Sequence, residues 1–580
     1  MNNQELAKIF YEIATYLEMQ DVAFKPQAYE KAALGLETLT DDVSEIYKNQ
    51  GIKGLKEISG VGQNIAEKII EYLKTGKVKE HQALRKKMPV DLEGLTSVEG
   101  IGPKMVRDLY KHLKIKNLKD LEKSAKAGKI RKLPHFGLKT EQNILEGIAF
   151  LKRSRGRFLL GEILPTVYEI IAQLKNLKEV KEVSEAGSVR RRKETIGDVD
   201  ILITSSNPKK VIDYFISMPG VIKIWGNGPT KASIRLKEGF DVDLRVLPDR
   251  QYGSALQYFT GSKEHNIVLR KIAIDKGLKL NEYGLFRGLK MIAGKNEKEV
   301  YSALKMAYIE PEMRENTGEI EAAIAKKLPR IINHKDILGD LHCHSHWGTE
   351  KGKKNIEEMI KMAKNMGYQY LGISDHTKFL RIERGLDEKQ LADQRKTIDK
   401  LNKSFIVHHS SFRVLQGCEA NIMADGSIDI KDESLAKLDY VIAGAHSQFK
   451  MPKEKMTERI IKAMENPNVD IISHPTGRIL QHRDEYEIDF DRILKVAKET
   501  GTILEINANP YRLDLKDANI KKAKKAGVKM VINTDSHQSS QMKFMEYGIV
   551  QARRGWAEKK DIINCWPLDK LLYFFKKIST

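Results

Sequence analysis

Apolar residues between positions 5 and 150 recur at intervals of three and four, and glycines mark the turns between the runs. This spacing places the apolar side chains on one face of a helix, so the region is predicted to form short helices. From about Glu179 the pattern changes to short runs typical of strands, among them Val199–Ile203 and Phe240–Val246, separated by helical segments. These features predict an α+β unit.

A third pattern follows a charged, helix-like segment from Arg314 to Gly339. Strand-like apolar runs alternate there with helical segments, and the runs are Tyr370–Ile373, Tyr440–Ala443, Asp470–Ile472, Ile503–Ile506 and Lys529–Ile532. Such alternation is typical of a parallel, barrel-like α/β domain. A chain of 580 residues is also too long for a single hydrophobic core, so it is predicted to be multidomain.

The charge of the chain favours a polyanionic partner. It carries 100 Lys and Arg against 79 Asp and Glu, a formal charge of +21. The excess is dense between Lys104 and Arg157, where sixteen basic residues face five acidic ones. Three cysteines without paired spacing exclude a disulfide scaffold and a zinc ribbon. With no signal-like segment and no run of about 18 apolar residues, we expect a cytoplasmic protein without membrane contact.

The predicted helical region contains a repeat 40 residues apart, with Gly60-Val-Gly62 in the first copy and Gly100-Ile-Gly102 in the second. Two glycines let the backbone turn tightly at a helix start and leave amides that can bind phosphate without reading a base. One such turn alone would be weak evidence for phosphate binding, but two copies in a basic region are stronger evidence. A degenerate third copy lies at Leu133–Leu138. The copies resemble helix-hairpin-helix motifs, which implies DNA contacts at Gly60, Gly62, Gly100, Gly102 and Lys104.

Three aspartates form a candidate metal site in the α+β unit. Alternation along a strand puts Asp198 and Asp200 on one face, about 7 Å apart, which suits shared coordination of hard cations. Asp243, on a second strand, would complete a site for two Mg²⁺ ions in phosphoryl transfer. A solvated turn is the alternative for Asp-x-Asp alone. The preceding run Gly187–Lys193 adds a hydroxyl, backbone amides and guanidinium groups suited to a triphosphate.

Together with Tyr258-Phe-Thr-Gly-Ser262, these motifs closely resemble the family X DNA polymerases of the nucleotidyltransferase superfamily, over residues 1 to 315. The resemblance implies that Asp198 and Asp200 bind two ions, Mg²⁺ or Mn²⁺, and that Asp243 binds the catalytic ion and helps to activate the primer 3′-hydroxyl. It also implies nucleotide contacts at Ser188, Arg191, Gly197, Tyr258, Phe259, Gly261 and Asn266, and a template contact at Arg270. Ordinary core packing is the alternative for the two aromatic residues.

The segment around the first repeat copy resembles the 5′-deoxyribose-phosphate lyase domain of the same family. Lys68 matches the Schiff-base lysine, and Lys25 and Tyr29 match residues that hold the 5′-phosphate. A lysine becomes such a nucleophile when burial or a nearby cation lowers its pKa. Asn64 and Phe24 stand where the animal enzymes carry a basic residue and a histidine. Phosphate binding is therefore expected here, and a solvated helix lysine is the alternative for Lys68.

Residue types that bind metals follow the strand-like runs of the C-terminal half. His342-Cys-His344 and Asp535-Ser-His537 each place two ligands on one strand face, and other histidines and carboxylates follow neighbouring runs. A lone histidine is more often a core residue, but strand ends are where barrels build their sites. Nitrogen and oxygen ligands of this number suit two or three Mn²⁺, Zn²⁺ or Fe ions that activate water for phosphoester hydrolysis.

These motifs resemble the PHP (polymerase and histidinol phosphatase) domain, over residues 335 to 575. The resemblance implies metal ligands at His342, His344, His376, Glu419, His446, His474, Asp535 and His537. After the first histidine pair the family has Ser-Asp-Gly, whose aspartate is a ligand, whereas this chain reads Trp347-Gly-Thr-Glu-Lys-Gly352. Glu350 is the candidate replacement, and a missing or weak metal is the alternative. Cys343 and Cys418 are predicted to be small apolar fillers.

A family X core fused to a PHP domain resembles the prokaryotic family X polymerases. We therefore expect helix-hairpin-helix domains, an α+β nucleotidyltransferase palm and a distorted (β/α)7-type PHP barrel. The expected divisions are 1–85 (lyase-like), 90–155 (second helix-hairpin-helix), 156–250 (palm), 251–315 (nucleotide selection), 316–335 (linker) and 336–575 (PHP).

The resemblance implies a polymerase that fills short gaps in DNA repair and a 3′-5′ exonuclease that also cuts at abasic sites or cleans blocked 3′ ends. The implied substrates are gapped or nicked DNA with a 5′-phosphate and dNTPs, used by a nucleoid-associated monomer. One alternative is a PHP domain that hydrolyses small phosphate esters. Another is a repair scaffold in which one or both sites are inactive.

Overall fold

The structure is a computed structural model that describes residues 2–578 apart from 38–41, 59, 97, 99–100, 135, 155, 346, 348–351, 381–382 and 409. The chain forms two compact units. The first contains Met1–Phe158, Leu174–Val183 and Gly197–Pro248, and the second contains Leu159–Gln173, Ser184–Ile196 and Asp249–Thr580.

The first unit begins with a set of helices, as the spacing of apolar residues predicts. They are α1 (Asn2–Met19), α2 (Lys25–Glu37), α3 (Val43–Lys56), α4 (Gln63–Thr75), α5 (Lys79–Lys87), α6 (Leu92–Thr96), α7 (Pro103–Leu113), α8 (Leu118–Lys126) and α9 (Leu138–Ser154). Their apolar faces share one core that includes Phe10, Ile69 and Leu109, all of which are fully buried. Most of the stability of such short helices comes from this packing.

The α+β region follows these helices. Its elements are β1 (Phe158–Leu159), α10 (Leu160–Lys175), β2 (Val180–Glu185), α11 (Gly187–Arg190), β3 (Thr195–Ile196), β4 (Val199–Ser205), α12 (Pro208–Ile216), β5 (Val221–Asn227), β6 (Lys231–Leu236) and β7 (Asp241–Leu247). Five strands form a sheet in the order β2-β4-β7-β6-β5, and β4 pairs with β7 in parallel. This pairing sets the candidate carboxylates side by side.

The second unit continues with a mixed region. It contains α13 (Tyr252–Thr260), α14 (Lys263–Asp275), β8 (Lys279–Asn281), β9 (Gly284–Arg287), β10 (Lys290–Ala293), α15 (Glu297–Ala303) and α16 (Glu319–Ile324). The helix-like pattern after Arg314 yields only the short helix α16. The segment expected as a linker contributes Ile320, Ala323 and Ile331 to the core formed by residues 269–313.

The C-terminal elements alternate between strand and helix. They are β11 (Gly339–Asp340), α17 (Gly352–Asn365), β12 (Tyr370–Ile373), α18 (Glu388–Val407), β13 (Arg413–Gln416), β14 (Glu419–Asn421), α19 (Asp432–Leu435), β15 (Ile442–Gly444), α20 (Lys453–Met464), β16 (Ile471–Ile472), α21 (Phe490–Thr500), β17 (Ile503–Asn507), α22 (Asp517–Ala526), β18 (Met530–Asn533), α23 (Met545–Arg554) and α24 (Leu568–Ile578).

These strands run parallel in the orders β11-β12-β13 and β14-β15-β16-β17-β18. Isolated bridges from His376 to Glu419 and from Cys343 to Ser536 join the two sheets into a distorted barrel. Alternate residues of β17 enter different cores, because Ile503 packs inside the ring and Leu504 packs against the outer helices. The carboxyl ends of the strands therefore converge on one end of the barrel.

Among the residues that the structure describes, none of the helices combines the length and the apolar character needed to cross a membrane.

Candidate active sites

The three palm aspartates lie on neighbouring strands of the first unit. Asp200 on β4 stands opposite Asp243 on β7 in the parallel register, so their side chains share one face of the sheet. Asp198 directly precedes β4 and is exposed, whereas Asp200 and Asp243 are half-buried. Lys231 Nζ lies 3.1 Å from Asp243 Oδ2. The arrangement offers several carboxylate oxygens, the ligand type that hard divalent cations prefer.

The electrostatics of these aspartates fit a cation. Burial and the charges of Asp198 and Asp243 raise the pKa of Asp200 to about 7. Although the Asp198 side chain is partly accessible, the surrounding protein removes some of its water, and this desolvation and the charge of Asp243 raise its pKa, which the Arg157 guanidinium opposes. Like charges held close together disfavour ionisation unless a cation joins them. A bound metal ion would therefore relieve the repulsion among the carboxylates.

The residues predicted to contact the nucleotide include Ser188, Arg191, Tyr258 and Asn266, which belong to the second unit. Arg191 Nε donates to Glu315 Oε1 at 3.0 Å, and its Nη1 donates to the carbonyl oxygen of Thr260. Gly261, at φ +67°, lets this contact form, since a Cβ there would lie 3.1 Å from Arg191 Nη1. Ser188 lies in α11, which begins at Gly187. The loop thus presents a hydroxyl and an oriented guanidinium group.

The residues expected along the sugar and the base lie together on α13 and α14. The Tyr258 and Phe259 rings meet edge to face at 5.1 Å and are partly exposed. Asn266 Nδ2 donates to the Tyr258 carbonyl oxygen at 2.6 Å, and Arg270 Nε donates to the Asn266 carbonyl oxygen at 3.4 Å. Arg270 is itself exposed. Gly197 lies in the first unit, where a Cβ would come 3.3 Å from Arg157 Nη1.

Arg190 belongs to the run that was predicted to bind a triphosphate, but its guanidinium group is engaged by a protein carboxylate that was not predicted from the sequence. Arg190, next to Arg191, forms a bidentate ion pair with the buried Glu297, with distances of 2.9 and 2.6 Å. Arg190 also donates to Thr260 Oγ1 at 2.6 Å. Glu297 begins α15, 107 residues further along the chain, and no local pattern marks it. Its carboxylate ties down the side chain of Arg190.

The helix-hairpin-helix glycines stand at helix starts. Gly62 caps α4 and Gly102 caps α7, and neither cap position makes a side-chain hydrogen bond. Gly60 has φ +82°, and a Cβ there would lie 2.5 Å from the Lys31 carbonyl carbon, so only glycine fits. Lys104 is well exposed and pairs with Asp21 at 3.0 Å. Gly100 lies outside the described residues. A helix start without a side-chain cap is an arrangement in which backbone amides can bind a phosphate.

The lyase-like residues form a small cluster in the first unit. Lys68 Nζ lies 2.5 Å from Glu80 Oε2, and the buried Tyr29 donates its hydroxyl to the same oxygen at 2.7 Å. Lys25 is exposed at the start of α2, and its charge contributes to a lowered pKa of Glu80, against the effect of burial. The Lys68 amine is therefore engaged by a carboxylate, which was not predicted from the sequence.

The C-terminal barrel gathers its histidines and acids into three overlapping groups of possible metal ligands. In each group, one donor atom per residue lies within 4.8 Å of all the others. The groups are His344, His376 and His537; His342, His344, Glu419 and Asp535; and His376, Glu419 and His446. Shared members link the groups, so the cluster suits more than one metal ion.

Within the described residues, several buried polar atoms of the cluster make no hydrogen bond of normal geometry, which tests whether the cluster fits metal ions. They include His342 Nε2, His344 Nδ1, His376 Nδ1 and Glu419 Oε2, and the last two face each other at 2.8 Å as an ion pair. A buried nitrogen or oxygen of this kind is costly unless something binds it. Burial and the charges of His376 and His537 hold the pKa of His344 well below its usual value, so this ligand is neutral. The residues present therefore fit divalent metal ions.

Glu419 is the centre of the cluster. Its Oε1 lies 3.2 Å from His446 Nε2 and 3.0 Å from His474 Nε2, and its Oε2 lies 2.8 Å from His376 Nδ1. Burial opposes ionisation, but the imidazoles of His342, His446 and His376 hold the pKa of Glu419 well below its usual range. Glu419 is thus an anionic ligand in a buried site. The three groups do not include His474, although its Nδ1 is buried and has no hydrogen-bond partner among the described residues.

A second layer of residues orients the candidate ligands. Glu505 Oε1 lies 2.6 Å from His342 Nδ1, and Asn421 Oδ1 lies 2.8 Å from His446 Nδ1. Such partners fix the ring orientation and the tautomer of a ligating histidine. Neither residue was predicted. The signal for Glu505 is a charged residue within the buried run Ile503–Ile506, on the same strand face as Ile503.

Two further acids of the histidine-rich motifs have structural contacts. Asp340 accepts hydrogen bonds from the Thr534 hydroxyl and the His342 amide. Asp375 accepts from the Ser345 amide and hydroxyl at 2.6 and 2.5 Å. Cys343 and Cys418 are buried in the apolar core. Glu350 lies outside the described residues, so its expected role as a ligand stays a prediction.

Two candidate ligands have unusual backbone conformations. His474 has φ +29° and Asp535 has φ +54°, a region that non-glycine residues rarely adopt. A small pocket reaches the cluster from the surface. It is lined by His344, Trp347, Asp375, His376, Glu383, Arg384, Leu386 and His537. The exposed Arg384 places a positive charge at this opening, where a phosphate group could be received.

Family models match four parts of the chain. The DNA polymerase beta thumb matches residues 255–315, and the PHP domain matches residues 340–509. A helix-hairpin-helix domain matches residues 1–78, and a SAM-like helix-hairpin-helix tandem matches residues 92–149.

Individual relatives give the same picture. The chain is 35% identical over 582 residues to the DNA polymerase/3′-5′ exonuclease PolX of Bacillus subtilis, which covers 100% of both chains. It is 39% identical over 136 residues to a protein of Thermoanaerobacter sp. named as a probable phosphatase, covering 22% of this chain and 53% of that one. A Clostridium acetobutylicum protein of the same name is 32% identical over 211 residues, covering 35% and 80%.

Proposed function

The chain belongs to the family X DNA polymerases that carry a PHP domain, the family of the B. subtilis PolX, and we propose that it is a two-site enzyme of DNA repair. It extends a primer on a DNA template with dNTPs, and it shortens 3′ ends as an exonuclease. Divalent metal ions serve both sites. The observation that carries the proposal is the presence, in one chain, of three palm aspartates and a buried histidine and carboxylate cluster.

At the first site, Asp198, Asp200 and Asp243 would hold two ions, Mg²⁺ or Mn²⁺. Asp243 would stand nearest to the primer 3′-hydroxyl and accept its proton. Ser188 and Arg191 would bind the triphosphate, because a hydroxyl and a guanidinium group suit phosphate oxygens. Gly197 and Gly261 would allow the substrate backbone to approach closely, because they have no side chain. Tyr258 and Phe259 would line the sugar, Asn266 would contact the base edge, and Arg270 would contact the template.

We infer that the substrate is gapped or nicked DNA with a 5′-phosphate. The free amides at Gly62 and Gly102 suit backbone phosphates, which carry no sequence information. Lys25, Tyr29 and Lys68 would receive the 5′-phosphate. Schiff-base chemistry at Lys68 would require its ion pair with Glu80 to open first. The enzyme would act as a monomer on DNA in the nucleoid.

At the second site, His342, His344, His376, Glu419, His446, His474, Asp535 and His537 would hold two or three Mn²⁺, Zn²⁺ or Fe ions, and Glu350 is a further proposed ligand. Metal ions bound at either site supply Lewis acidity, which stabilises charge on phosphate oxygens and lowers the pKa of a bound water. Arg384 would bind the scissile phosphate at the mouth of the pocket. Glu505 would keep the ring of His342 turned toward the cluster. Abasic-site cleavage and the cleaning of blocked 3′ ends would use the same residues.

A second candidate function for the PHP domain is the hydrolysis of small phosphate esters. The relatives named as probable phosphatases favour it. The two functions are distinguished by measuring hydrolysis rates with a free aryl phosphate and, separately, with a recessed 3′ DNA end. Faster hydrolysis of the free ester would assign the second site to small molecules, and faster shortening of the DNA would assign it to the exonuclease.

The test is a time course on a 5′-labelled primer in a one-nucleotide gap with a 5′-phosphate and Mn²⁺, with and without dNTPs. Wild type should extend the primer with dNTPs and shorten it without them. Asp198→Ala should lose only extension, and His344→Ala should lose only shortening, so each variant is the control for the other. Extension that persists in Asp198→Ala would contradict the polymerase site. Shortening that persists in His344→Ala would contradict the nuclease site.

A further inference from the structure

The nucleotide-binding loop from Ser188 to Glu194 makes polar contacts with the PHP domain inside the second unit. The Arg191 side chain is largely buried, and its guanidinium group is held on two sides by Glu315 and the Thr260 carbonyl oxygen. The described structure records no hydrogen bond for its third nitrogen, Nη2. The group is therefore oriented with one edge left for an anion.

Arg554, at the end of α23 in the PHP domain, contacts both the main chain of Arg191 and its partner Glu315. It is 5% exposed. Its Nη1 donates to the Arg191 carbonyl oxygen at 2.8 Å and to Glu315 Oε1 at 3.1 Å, and its Nη2 donates to Asp517. Glu315 therefore lies between two guanidinium groups. Arg554 contacts both the main chain of Arg191 and the carboxylate that orients its side chain.

The far end of the loop is also held by the PHP domain. Arg478, which is 6% exposed, donates to both carboxylate oxygens of Glu194, at 3.2 and 2.6 Å. Gln551, also on α23, donates to Glu194 Oε1 at 2.7 Å. Glu194 lies four residues before Asp198 in the chain. Both ends of the segment from Arg191 to Glu194 are thus fixed by side chains from beyond residue 470.

A binding loop that is ordered before its ligand arrives loses less conformational entropy on binding. A loop that is loosened loses affinity for the group it binds more than it loses the chemical step, provided that the bound geometry can still form. The contacts of Arg554 are therefore of the kind that sets nucleotide affinity.

We propose that the PHP domain positions the nucleotide-binding loop of the polymerase, with Arg554 as the positioning residue for Arg191 and with Arg478 and Gln551 holding the loop at Glu194. The inference rests on the proposed binding of the triphosphate by Arg191. It makes the PHP domain part of the polymerase as well as the bearer of a second active site.

The test compares steady-state filling of a one-nucleotide gap by full-length wild type, Arg554→Lys and Arg553→Lys. Lysine keeps the charge of Arg554 but cannot span Arg191, Glu315 and Asp517 with one ammonium group. We expect the KM for dNTP to rise about tenfold, with little change in kcat, as for other substitutions behind a binding group. The 3′-5′ exonuclease rate of Arg554→Lys should equal that of wild type.

Arg553→Lys is the matched control. Arg553 is the neighbouring residue on α23 and binds Glu312 and the Ile332 carbonyl oxygen, without touching the loop. Its KM for dNTP should stay near the wild-type value. An unchanged KM in Arg554→Lys would overturn the proposal, and so would an equal rise in both variants, because that would show general loosening.

Glu194→Gln keeps the test decisive if Arg554→Lys fails to fold, as judged by exonuclease activity and the thermal midpoint. The Glu194 side chain is 24% exposed, and an amide of the same shape weakens its bonds to Arg478 and Gln551. A raised KM for dNTP with intact exonuclease activity supports the proposal, and an unchanged KM overturns it. A wild-type protein that does not extend primers would instead contradict the proposed function.

Discussion

The palm and the barrel carry two candidate metal sites of opposite design. The palm offers carboxylates alone, and burial together with their mutual repulsion raises the pKa of Asp200 to about 7. The barrel surrounds the buried Glu419 with imidazoles, which hold its pKa well below the usual range. The first site is short of positive charge until a metal ion binds, and the second is nearly balanced without one. We expect the palm to exchange ions with each substrate and the barrel to retain them.

The largest expected effect is at the palm. Asp243→Asn should lower primer extension by about a thousandfold or more, because the amide is a poor ligand for a catalytic cation. Gap-filling assays measure the loss. Asp241→Asn, on the same strand, is the matched control, since Asp241 pairs with Arg235 at 2.8 and 2.9 Å. Similar losses in both variants would show that the strand, and not the metal site, had been damaged.

The corresponding change in the barrel is His344→Ala. Because His344 belongs to two of the three ligand groups, we expect loss of at least one tightly held ion, together with most of the exonuclease activity. Elemental analysis after gel filtration measures the metal content. The exposed His482→Ala is the control and should keep the wild-type metal content. Full metal content in His344→Ala would remove the distinction between a retaining site and an exchanging one.

A smaller effect is expected for Glu505, which contacts a candidate ligand but is not itself one. Glu505→Gln should weaken metal binding in the barrel by about 10- to 100-fold, because the His342 ring loses its charged partner. Competition with a chelator measures the affinity, and added metal should restore the nuclease. Glu499→Gln, at an exposed position of α21, is the control. An unchanged affinity in Glu505→Gln would show that His342 needs no such support.

The smallest effect is a pH dependence at the palm. Burial and two neighbouring carboxylates raise the pKa of Asp200 to about 7, so below that pH a proton competes with the metal ion. The Mg²⁺ affinity should therefore rise by several fold between pH 6 and pH 8 and then level off. Calorimetric Mg²⁺ titrations of wild type and Asp200→Asn, compared at each pH, isolate the palm signal by difference. An affinity that does not change over this range would contradict the raised pKa.

The sequence predicted candidate site residues where polar residues lie next to an apolar run typical of a strand. Asp198, Asp200 and Asp243 were found because strand alternation places them together, and their register confirms that Asp200 and Asp243 stand opposite each other. Several candidate ligands of the barrel, among them His376, His446, His474 and Asp535, were predicted because they follow apolar runs typical of strands, and the metal roles of the whole set stay a prediction. The full-length match to PolX confirms the family that these motifs indicated.

The contacts that the sequence did not show join distant parts of the chain. Arg190 with Glu297, His342 with Glu505 and Arg554 with Glu315 are separated by 107, 163 and 239 residues. No local periodicity encodes such pairs, because they depend on how the elements pack. The helix-like charge pattern after Arg314 misled for a local reason, since Asn316 and Lys326 adopt positive φ on either side of α16.

The bonds between α23 and the nucleotide-binding loop also limit how the molecule can be divided. A fragment that ended near residue 335 would contain Arg191, Glu194 and Glu315 but would lack Arg554, Arg478 and Gln551. The severed surface would expose a backbone carbonyl and two carboxylates that the intact protein satisfies with arginine and glutamine. Point substitutions can separate the two activities, whereas truncation would also disturb the nucleotide-binding loop. A polymerase without nuclease activity is therefore better made by altering a candidate metal ligand.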